Sequence, residues 1–551
     1  MKKFFTVLVA VSSYLVAPAQ DFTLTSSSFI GDATELDEVR GARVQSDGTM
    51  VIGAITTALP GEGNATLLNG ATNDAAGTII RLSKTGTIIS VTKVGDRVLD
   101  LDLDKDNNIY AALGNGGLVK LDPTASSLIY QQDNGGTALR IDAADDGTVA
   151  ALGEGTVYLY SASGDPITSF SGKNFTEDVA LSASLQRVFT VGFRNANSGC
   201  NPVQIAYLRA HDFTGSEVWR DYDHPATLLD NCDKDGLENN MADTRGYRVS
   251  VGEDGYLYAA FEVAGGNHIF RKHPNNLKAS VTIVGGDKHH EFYNTKSEHK
   301  TFFAKYDPAT GEYLQGQQFV GRLSKGGGNA VRIKEGDIQA DARGRVYIGG
   351  SAASGLPLTF APAEAGSYTG GAWVMVMSSD FKKRLVVSRI GQGKTQAVGV
   401  RTIGEVPVLV WGGQASKEFH ALNAFQSTLA GGEKDGFYGS SNFASDSVES
   451  EPNESEPEDY VLSIHDSAPQ EEGSALPKVY PNPASESVVF DFDKQTSGTL
   501  FLINVNGVSV YEKNISGDMS VDVDLSGFAP GMYLGKIVQK DKINVVKIIV
   551  K

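Results

Sequence analysis

Polar residues at fixed positions in repeated strands are the clearest chemical signal in this sequence. Counted back from a turn glycine, or from Asn107 in its place, position five is polar in five segments and position seven is charged in four. The first set is Arg43, Asp102, Asp142, Ser250 and Gln339, and the second is Asp100, Arg140, Arg248 and Asp337. Their neighbours along each strand are mostly apolar. Because unpaired charges between packed strands are costly, we expect these residues to line a channel or to pair with one another.

Two interpretations of these charges are open from the sequence alone. In the first, Arg140 and Arg248 lie at a channel mouth and hold a carboxylate or sulfate group bidentately. Four carboxylates then complete the ligand-binding set: Asp100, Asp102, Asp142 and Asp337. In the second, the same residues form a self-paired ring that fills the axis with salt bridges and water.

A second group of chemistry-bearing residues lies between positions 211 and 299, where histidines are mixed with carboxylates. No H-E-x-x-H or comparable ligand spacing occurs there. Asp230, Asp233 and Asp235 precede Gly236 in a segment that resembles the first half of a calcium loop, although position twelve is Ala242. Calcium is the one cofactor that this segment suggests. A solvated polar insertion is the alternative.

A repeated unit positions these residues. Seven times between residues 20 and 439 an apolar strand enters a short turn and a second strand leaves it. The turns lie at residues 46–48, 105–108, 145–147, 184–186, 253–255, 342–344 and 402–404. A third and a fourth strand follow in most units, at an irregular period of about 40 to 90 residues, which is typical of β-propeller blades. The long insertions all fall after second or fourth strands and therefore on one face of the disc, where binding usually resides.

The units resemble bacterial propeller repeats that carry an Asp-x-x-Gly-Asn-type turn and a second strand containing tyrosine. The resemblance implies an all-β fold with a seven-bladed propeller over residues 20–439, and it transfers no catalytic residues. The last unit lacks an outer strand after Tyr438. Residues 22–27 could supply that strand and close the ring.

The C-terminal residues are of a different kind. The order of Tyr480-Pro481-Asn482-Pro483, then Gly531 and Tyr533, then Lys547 and Lys551 resembles the type A C-terminal sorting domain of the type IX secretion system of the Bacteroidota. The resemblance covers residues 476–551 and implies a small β-sandwich that interacts with the secretion machinery. Residues 440–475 form an acidic linker that is rich in Ser, Glu and Pro, and its composition predicts an extended, mobile segment.

The N-terminus and the composition agree with export. Residues 1–19 carry two lysines, an apolar stretch and an Ala-Pro-Ala cleavage site, which predicts a signal peptide. No later run is long enough for a transmembrane helix, so the mature chain is expected outside the cell or on the outer-membrane surface after passage through the periplasm. A net charge of −18 disfavours nucleic acid as a partner. Cys200 and Cys232 are the two cysteines, and in an exported chain such a pair favours a disulfide.

Two functions are compatible with this sequence. The first is a secreted or surface-displayed propeller that binds extracellular glycan or protein. The alternative is an extracellular carbohydrate-active or metal-assisted enzyme that uses the His/Asp cluster on the elaborated face. No Gly-x-Ser-x-Gly elbow or Walker loop is present, so the sequence motifs favour binding over catalysis.

Overall fold

The computed structural model describes two compact units, residues 1–453 and 454–551. The described residues are 22–33, 37–172, 175–197, 202–225, 243–264, 267–285, 287–291, 299–359, 370–416, 419–443, 477–504, 509–539 and 543–551. Several predictions from the sequence lie outside them: the signal peptide, most of the linker, Cys200, Cys232, Asp230, Asp233 and Asp235. The described residues are all-β, and none of their helices is long and apolar enough to span a membrane.

The first unit consists of small, mainly antiparallel sheets; in six of them the four main strands come in chain order, and in the seventh the outer strand comes from the N-terminal end of the described chain. The sheets are numbered 1 to 7 below. Sheet 1 contains Glu38–Val44, Met50–Ile55, Gly77–Leu82 and Ile88–Lys93, and its last strand also pairs with Thr66–Leu67; sheet 2 contains Val98–Leu103, Ile109–Leu113, Gly117–Leu121 and Leu128–Gln132; sheet 3 contains Arg140–Ala143, Val149–Gly153, Thr156–Tyr160 and Pro166–Ser171.

The remaining sheets repeat this order. Sheet 4 contains Thr176–Ser182, Arg187–Asn197, Pro202–Asp212 and Glu217–Tyr222; sheet 5 contains Thr244–Val251, Leu257–Ala264, His299–Tyr306 and Tyr313–Phe319; sheet 6 contains Val331–Ala340, Val346–Ala353, Gly370–Met377 and Arg384–Gly391; sheet 7 contains Gly393–Ile403, Val406–Ala415, Asp435–Phe443 and Phe22–Ile30. The short hairpins Lys272–His273 with Asn276–Ser280 and Gly321–Arg322 with Gly328–Asn329, and the 3₁₀ turns Asn134–Gly136 and Ile269–Arg271, lie in connections.

The chain reverses tightly after each first strand because one turn residue adopts a positive φ. Gly147 adopts a φ of 84°, a left-handed conformation that glycine takes without a Cβ penalty. Asn107 stands in that place in sheet 2 with a φ of 64°, and Gln186 stands there in sheet 4 with a φ of 50°. The sequence therefore fixes the reversal in each unit through one residue that tolerates positive φ.

The first strands of the sheets contact one another in cyclic order. Each packs against the first strands of the sheets before and after it, and the first strand of sheet 7 packs against that of sheet 1. Close approach requires small residues at these contacts. A Cβ added to Gly41 would lie 2.4 Å from the Cβ of Leu101 in the next sheet, so a larger residue would push the two sheets apart.

The N-terminal strand Phe22–Ile30 completes sheet 7 by pairing with Asp435–Phe443, the last strand of the unit. The Oγ atoms of Ser26 and Ser440 lie 2.8 Å apart across this pairing. The sequence predicted this outer strand from residues 22–27. It also placed the end of the unit at residue 439, whereas the paired strand continues to Phe443.

The long connections of the unit all leave second or fourth strands. They span residues 56–76, 223–243, 265–298, 320–330, 354–369 and 416–434, and the connections between first and second strands stay short. In an antiparallel sheet the ends of the second and fourth strands lie at the same edge. The first strands therefore begin on the elaborated edge, and their charged early residues lie near it.

The second unit has its own core around Phe490, Leu502 and Ile548. Its strands are Lys478–Tyr480, Ser487–Asn504, Ser509–Asp524, Gly531–Val538 and Ile543–Val550. Asn482 connects the two halves of the sequence signature, because its Nδ2 donates to the carbonyl of Lys547 at 2.7 Å and its Oδ1 accepts the N–H of Ile549 at 2.9 Å. The Tyr-Pro-Asn-Pro segment therefore lies against the final strand.

Candidate functional site

Five charged residues of alternating sign follow one another around the cyclic arrangement of first strands. They are Asp100, Arg140, Asp178, Arg248 and Asp337, on sheets 2 to 6. In sheets 2, 4 and 5 the register of the first strand shifts immediately before the charged residue. Such β-bulges re-aim side chains at the rim of a sheet. We call these five residues the charged ring.

The carboxylates of the charged ring join neighbouring sheets. Each accepts a backbone N–H from the first strand of the next sheet: Asp100 from Ile141 at 3.1 Å, Asp178 from Val249 at 3.1 Å and Asp337 from Val398 at 3.0 Å. Asp102 and Asp142 repeat this contact one step deeper, with Ala143 at 2.8 Å and Leu181 at 2.7 Å. These side chains therefore supply hydrogen bonds that the apolar packing between sheets cannot provide.

Two arginines add further contacts between neighbouring sheets. Arg43 places its Nε 2.8 Å from Asp102 and its Nη1 3.7 Å from Asp337. Arg248, which is 3% exposed, donates to the carbonyls of Tyr247, Gly336 and Lys334, the last at 2.6 Å. The guanidinium of Arg248 is therefore hydrogen-bonded to the backbone of sheet 6 and is not oriented to bind a ligand.

Arg140 differs from the other members of the charged ring. Its guanidinium forms no hydrogen bond or ion pair with any described residue. Burial would lower the pKa of Arg140, but Asp100, Asp178 and Asp337 outweigh it and raise that pKa. A second cation, Arg40, lies near Arg140. Burial and the charge of Arg140 both lower the pKa of Arg40, whose Nη1 lies 3.3 Å from Oε2 of Glu38. Arg140 begins its strand, on the elaborated edge.

Burial shifts the titration of the ring. It raises the pKa of Asp178 to about 7, although Arg140 and Arg248 act in the opposite direction. Burial, with the charge of Asp102, also raises the pKa of Asp142, and burial raises that of Asp337. The pKa of Arg248 falls to about 10 for the same reason. The charged ring contains three carboxyl groups and two guanidinium groups, and burial opposes the ionisation of Asp178 and Asp337.

The stability of the first unit is expected to depend on Asp178 in a pH-dependent way. Its folded pKa of about 7 exceeds the ordinary 3.8, so its contribution is fully present below the ordinary value and is lost as pH rises through 7. Asp178→Asn should therefore gain stability relative to the parent chain by about 2 to 3 kcal/mol between pH 5 and pH 8. Denaturant titrations at both pH values measure the difference. Asp106→Asn on an exposed turn is the control, and an equal gain there would contradict the assignment to Asp178.

Sequence reasoning found most of this ring but missed Asp178. The count from the turn failed because Asp178 lies eight residues before Gln186, whereas Asp100 lies seven before Asn107. Alternation of sign across consecutive units was the signal that could have located it. The structure places Asp100, Arg140, Arg248 and Asp337 near one another, as the sequence predicted. It also pairs Asp102 with Arg43.

The described histidines do not gather into one centre. His299 lies 2.7 Å from Glu262, His290 lies 3.7 Å from Asp287, and the His289 ring is 3.1 Å from the carbonyl of Val320. Burial lowers the pKa of His224 to about 4. No group of three His, Cys, Asp or Glu side chains that could hold a metal ion occurs within the described part of the chain.

A separate cavity of about 430 Å³ lies beside the outer strand of sheet 6. Its lining residues are Asp287, Pro357, Thr359, Lys382, Lys383, Arg384 and Leu385. Arg384 forms an ion pair with Asp287, and its guanidinium carbon lies 5.0 Å from the centre of the Phe319 ring. Sequence analysis did not predict this cavity, because Asp287 and Arg384 are distant along the chain.

The comparisons with known proteins identify the second unit. Residues 478–551 match the family described as the secretion system C-terminal sorting domain. This domain supports secretion through the type IX system and implies a cell-surface or extracellular location. The chain is thus an all-β protein that carries a type IX sorting domain.

No curated protein matches the chain. Among solved structures the chain is similar to one titled "Crystal Structure of Mitotic Checkpoint Complex", at 9% identity and a TM-score of 0.39. The match covers 74% of this chain and 95% of that chain. A likeness of this degree supports no inference about function.

Proposed function

We propose that the protein is exported by the type IX system and that its first unit is a seven-bladed β-propeller which binds an extracellular glycan or protein. The observation that carries the proposal is the uneven scaffold: short turns on one edge of the sheets, long connections on the other, and Arg140 at the start of a first strand on the elaborated edge. Loops on a rigid scaffold are the usual place for binding.

Arg140 is the proposed ligand contact, and it replaces the pair of arginines expected from the sequence. Arg248 is withdrawn from that pair because its donors are bonded to backbone carbonyls. A carboxylate or sulfate group on the ligand would find in Arg140 a planar donor fork that forms no other bond in the described structure. Asp100 and Asp178 lie on the neighbouring sheets, and their carboxylates repel an anionic group. The ligand must therefore gain further affinity from uncharged contacts with the surrounding loops.

The test is binding of the full mature chain to soluble polysaccharides that either carry or lack carboxylate and sulfate groups. Arg140→Gln is expected to weaken binding of the acidic polymers about tenfold or more, since one charge-assisted contact is worth roughly 1.5 to 3 kcal/mol. Lys84→Gln, on an exposed short turn, removes one positive charge from the opposite edge. Equal effects of the two substitutions would reject the Arg140 site.

A further inference from the structure

Two buried carboxyl groups meet where the cyclic arrangement closes. Asp37 immediately precedes Glu38–Val44, the first strand of sheet 1, and Asp435 begins Asp435–Phe443, the third strand of sheet 7. Both residues are 0% exposed. Gly31 lies beside them, at the end of the N-terminal closing strand. None of these residues belongs to the charged ring.

One oxygen of each carboxyl group has a partner and the other has none. Asp435 Oδ2 accepts the Nε2 of Gln426 at 2.7 Å and the N–H of Ala430 at 2.8 Å, and Asp37 Oδ2 accepts the N–H of Asp32 at 3.1 Å. The Oδ1 atoms of Asp37 and Asp435 are buried and lack any hydrogen-bond partner among the described residues. Buried polar atoms normally have a partner, and a bound ion or water is one that would satisfy both Oδ1 atoms.

Both carboxyl groups lie against Gly31, and the nearest atom to a Cβ built on that residue is Oδ2 of Asp37, at 2.7 Å. A Cβ built on Gly31 would lie 2.9 Å from the Cγ of Asp37 and 2.9 Å from the Cγ of Asp435. The two carboxyl carbons are therefore no farther apart than twice that distance. Any side chain larger than hydrogen at position 31 would occupy the gap between them.

The surrounding charge favours a cation in this gap. Lys93 is the nearby buried cation, but its Nζ donates to the Thr57 carbonyl at 2.8 Å and to Thr78 Oγ1 at 2.9 Å. Asp32 contributes a further carboxylate, which accepts hydrogen bonds from Thr57 and Ala58.

We propose that Asp37 and Asp435 bind a calcium ion that fixes the closure of the ring. The donors are oxygen atoms throughout, which suits a hard cation, and calcium accepts backbone carbonyls and water to complete its six to eight ligands. Two carboxylates match its charge. The proposed ligands Asp37 and Asp435 are not among the calcium-loop residues predicted from the sequence, Asp230, Asp233 and Asp235.

Calcium at this site would connect two parts of the first unit that are distant in the chain, Gly31 with Asp37 and Asp435. Gly31 follows the closing strand, Asp37 precedes the first strand of sheet 1, and Asp435 begins the strand that pairs with the closing strand. A ligand that binds only the closed form stabilises it by mass action. The closed ring is therefore favoured in calcium-rich extracellular fluid, where modules with millimolar affinity are occupied.

The test uses the full mature chain after exhaustive dialysis against EGTA. Titration calorimetry with calcium chloride should show one bound ion that is lost in Asp37→Asn and in Asp435→Asn. Calcium at about 2 mM should raise the Tm of the parent chain by roughly 5 °C and leave the Tm of the variants unchanged. The three tryptophans, Trp219, Trp373 and Trp411, all lie in the first unit, so their fluorescence follows its unfolding alone.

Two further variants locate the ion. Asp233→Asn combined with Asp235→Asn should retain the bound ion, whereas Gly31→Ala should lose it because the new methyl group fills the gap. If Asp37→Asn does not fold, Asp435→Asn and Gly31→Ala make the same comparison. The proposal is overturned if the parent chain binds no calcium, if the ion is lost only with the Asp233 and Asp235 pair, or if a shared proton replaces it, seen as a Tm that responds to pH and not to calcium.

Discussion

A chain that begins at Gly31, and so lacks the strand Phe22–Ile30, is expected to lose about 5 to 9 kcal/mol of the stability of its first unit. The strand buries Phe22, Phe29 and Ile30, and each such side chain contributes about 1.5 to 3 kcal/mol on burial. Its removal also exposes the backbone edge of Asp435–Phe443, which is a template for pairing with other chains. Since domains of this kind are stabilised by only about 5 to 15 kcal/mol, the truncated unit should not remain folded.

Denaturant titration followed by tryptophan fluorescence measures this loss. Trp411 is a local reporter, because its ring lies 6.2 Å from that of Phe22 in a stacked arrangement. A chain that begins at residue 20 keeps the strand and is the reference with which the truncated chain is compared. A synthetic peptide of residues 22–33 should restore part of the native signal to the truncated chain. An unchanged denaturation midpoint in the truncated chain would show that sheet 7 closes without this strand.

Arg248→Met is expected to destabilise the first unit by about 3 to 5 kcal/mol. The substitution keeps an apolar chain of similar length but leaves the carbonyls of Gly336 and Lys334 without their donor and removes a cation that stabilises the buried Asp178 carboxylate. Breaking a buried charged network by removal of one partner has a cost of this size. The loss should be larger at pH 8 than at pH 5, where Asp178 holds a proton.

Arg140→Met is the matched control for that experiment. Arg140 occupies the equivalent position two sheets earlier and also favours the ionised form of Asp178, but it forms no hydrogen bond in the described structure, so its replacement should cost about 2 kcal/mol less than that of Arg248. Chemical denaturation of the two variants in parallel makes the comparison. Equal losses would mean that the backbone contacts of Arg248 contribute nothing beyond its charge.

Sequence reasoning predicted the all-β architecture because each unit carries its own local signals. Strand periodicity and a residue that tolerates positive φ, such as Gly147 or Asn107, define the first hairpin without tertiary information. The missing outer strand of the last unit, which pointed to the N-terminus, was also visible in the sequence. The sorting domain was recognised from spaced residues, and Asn482 shows why the spacing matters: its side chain bridges to the final strand.

The partners of the ring residues could not be predicted in the same way. Residue type shows that Arg248 is charged, but its acceptors are the carbonyls of Gly336 and Lys334, and any sequence supplies carbonyls. Asp37 and Asp435 look like ordinary turn carboxylates until the closing strand places them on either side of Gly31. Contacts between the two ends of the first unit form only when its sheets close into a ring, and local sequence patterns do not predict that closure.

The pairing of Phe22–Ile30 with Asp435–Phe443 has a consequence for biosynthesis. The first strand to be synthesised cannot find its hydrogen-bonding partner until translation has passed Phe443, so closure is among the most non-local steps of folding and is correspondingly slow. Until then the nascent polypeptide carries two unsatisfied edges. Those edges can pair with other chains, so the protein is most exposed to aggregation before the ring closes.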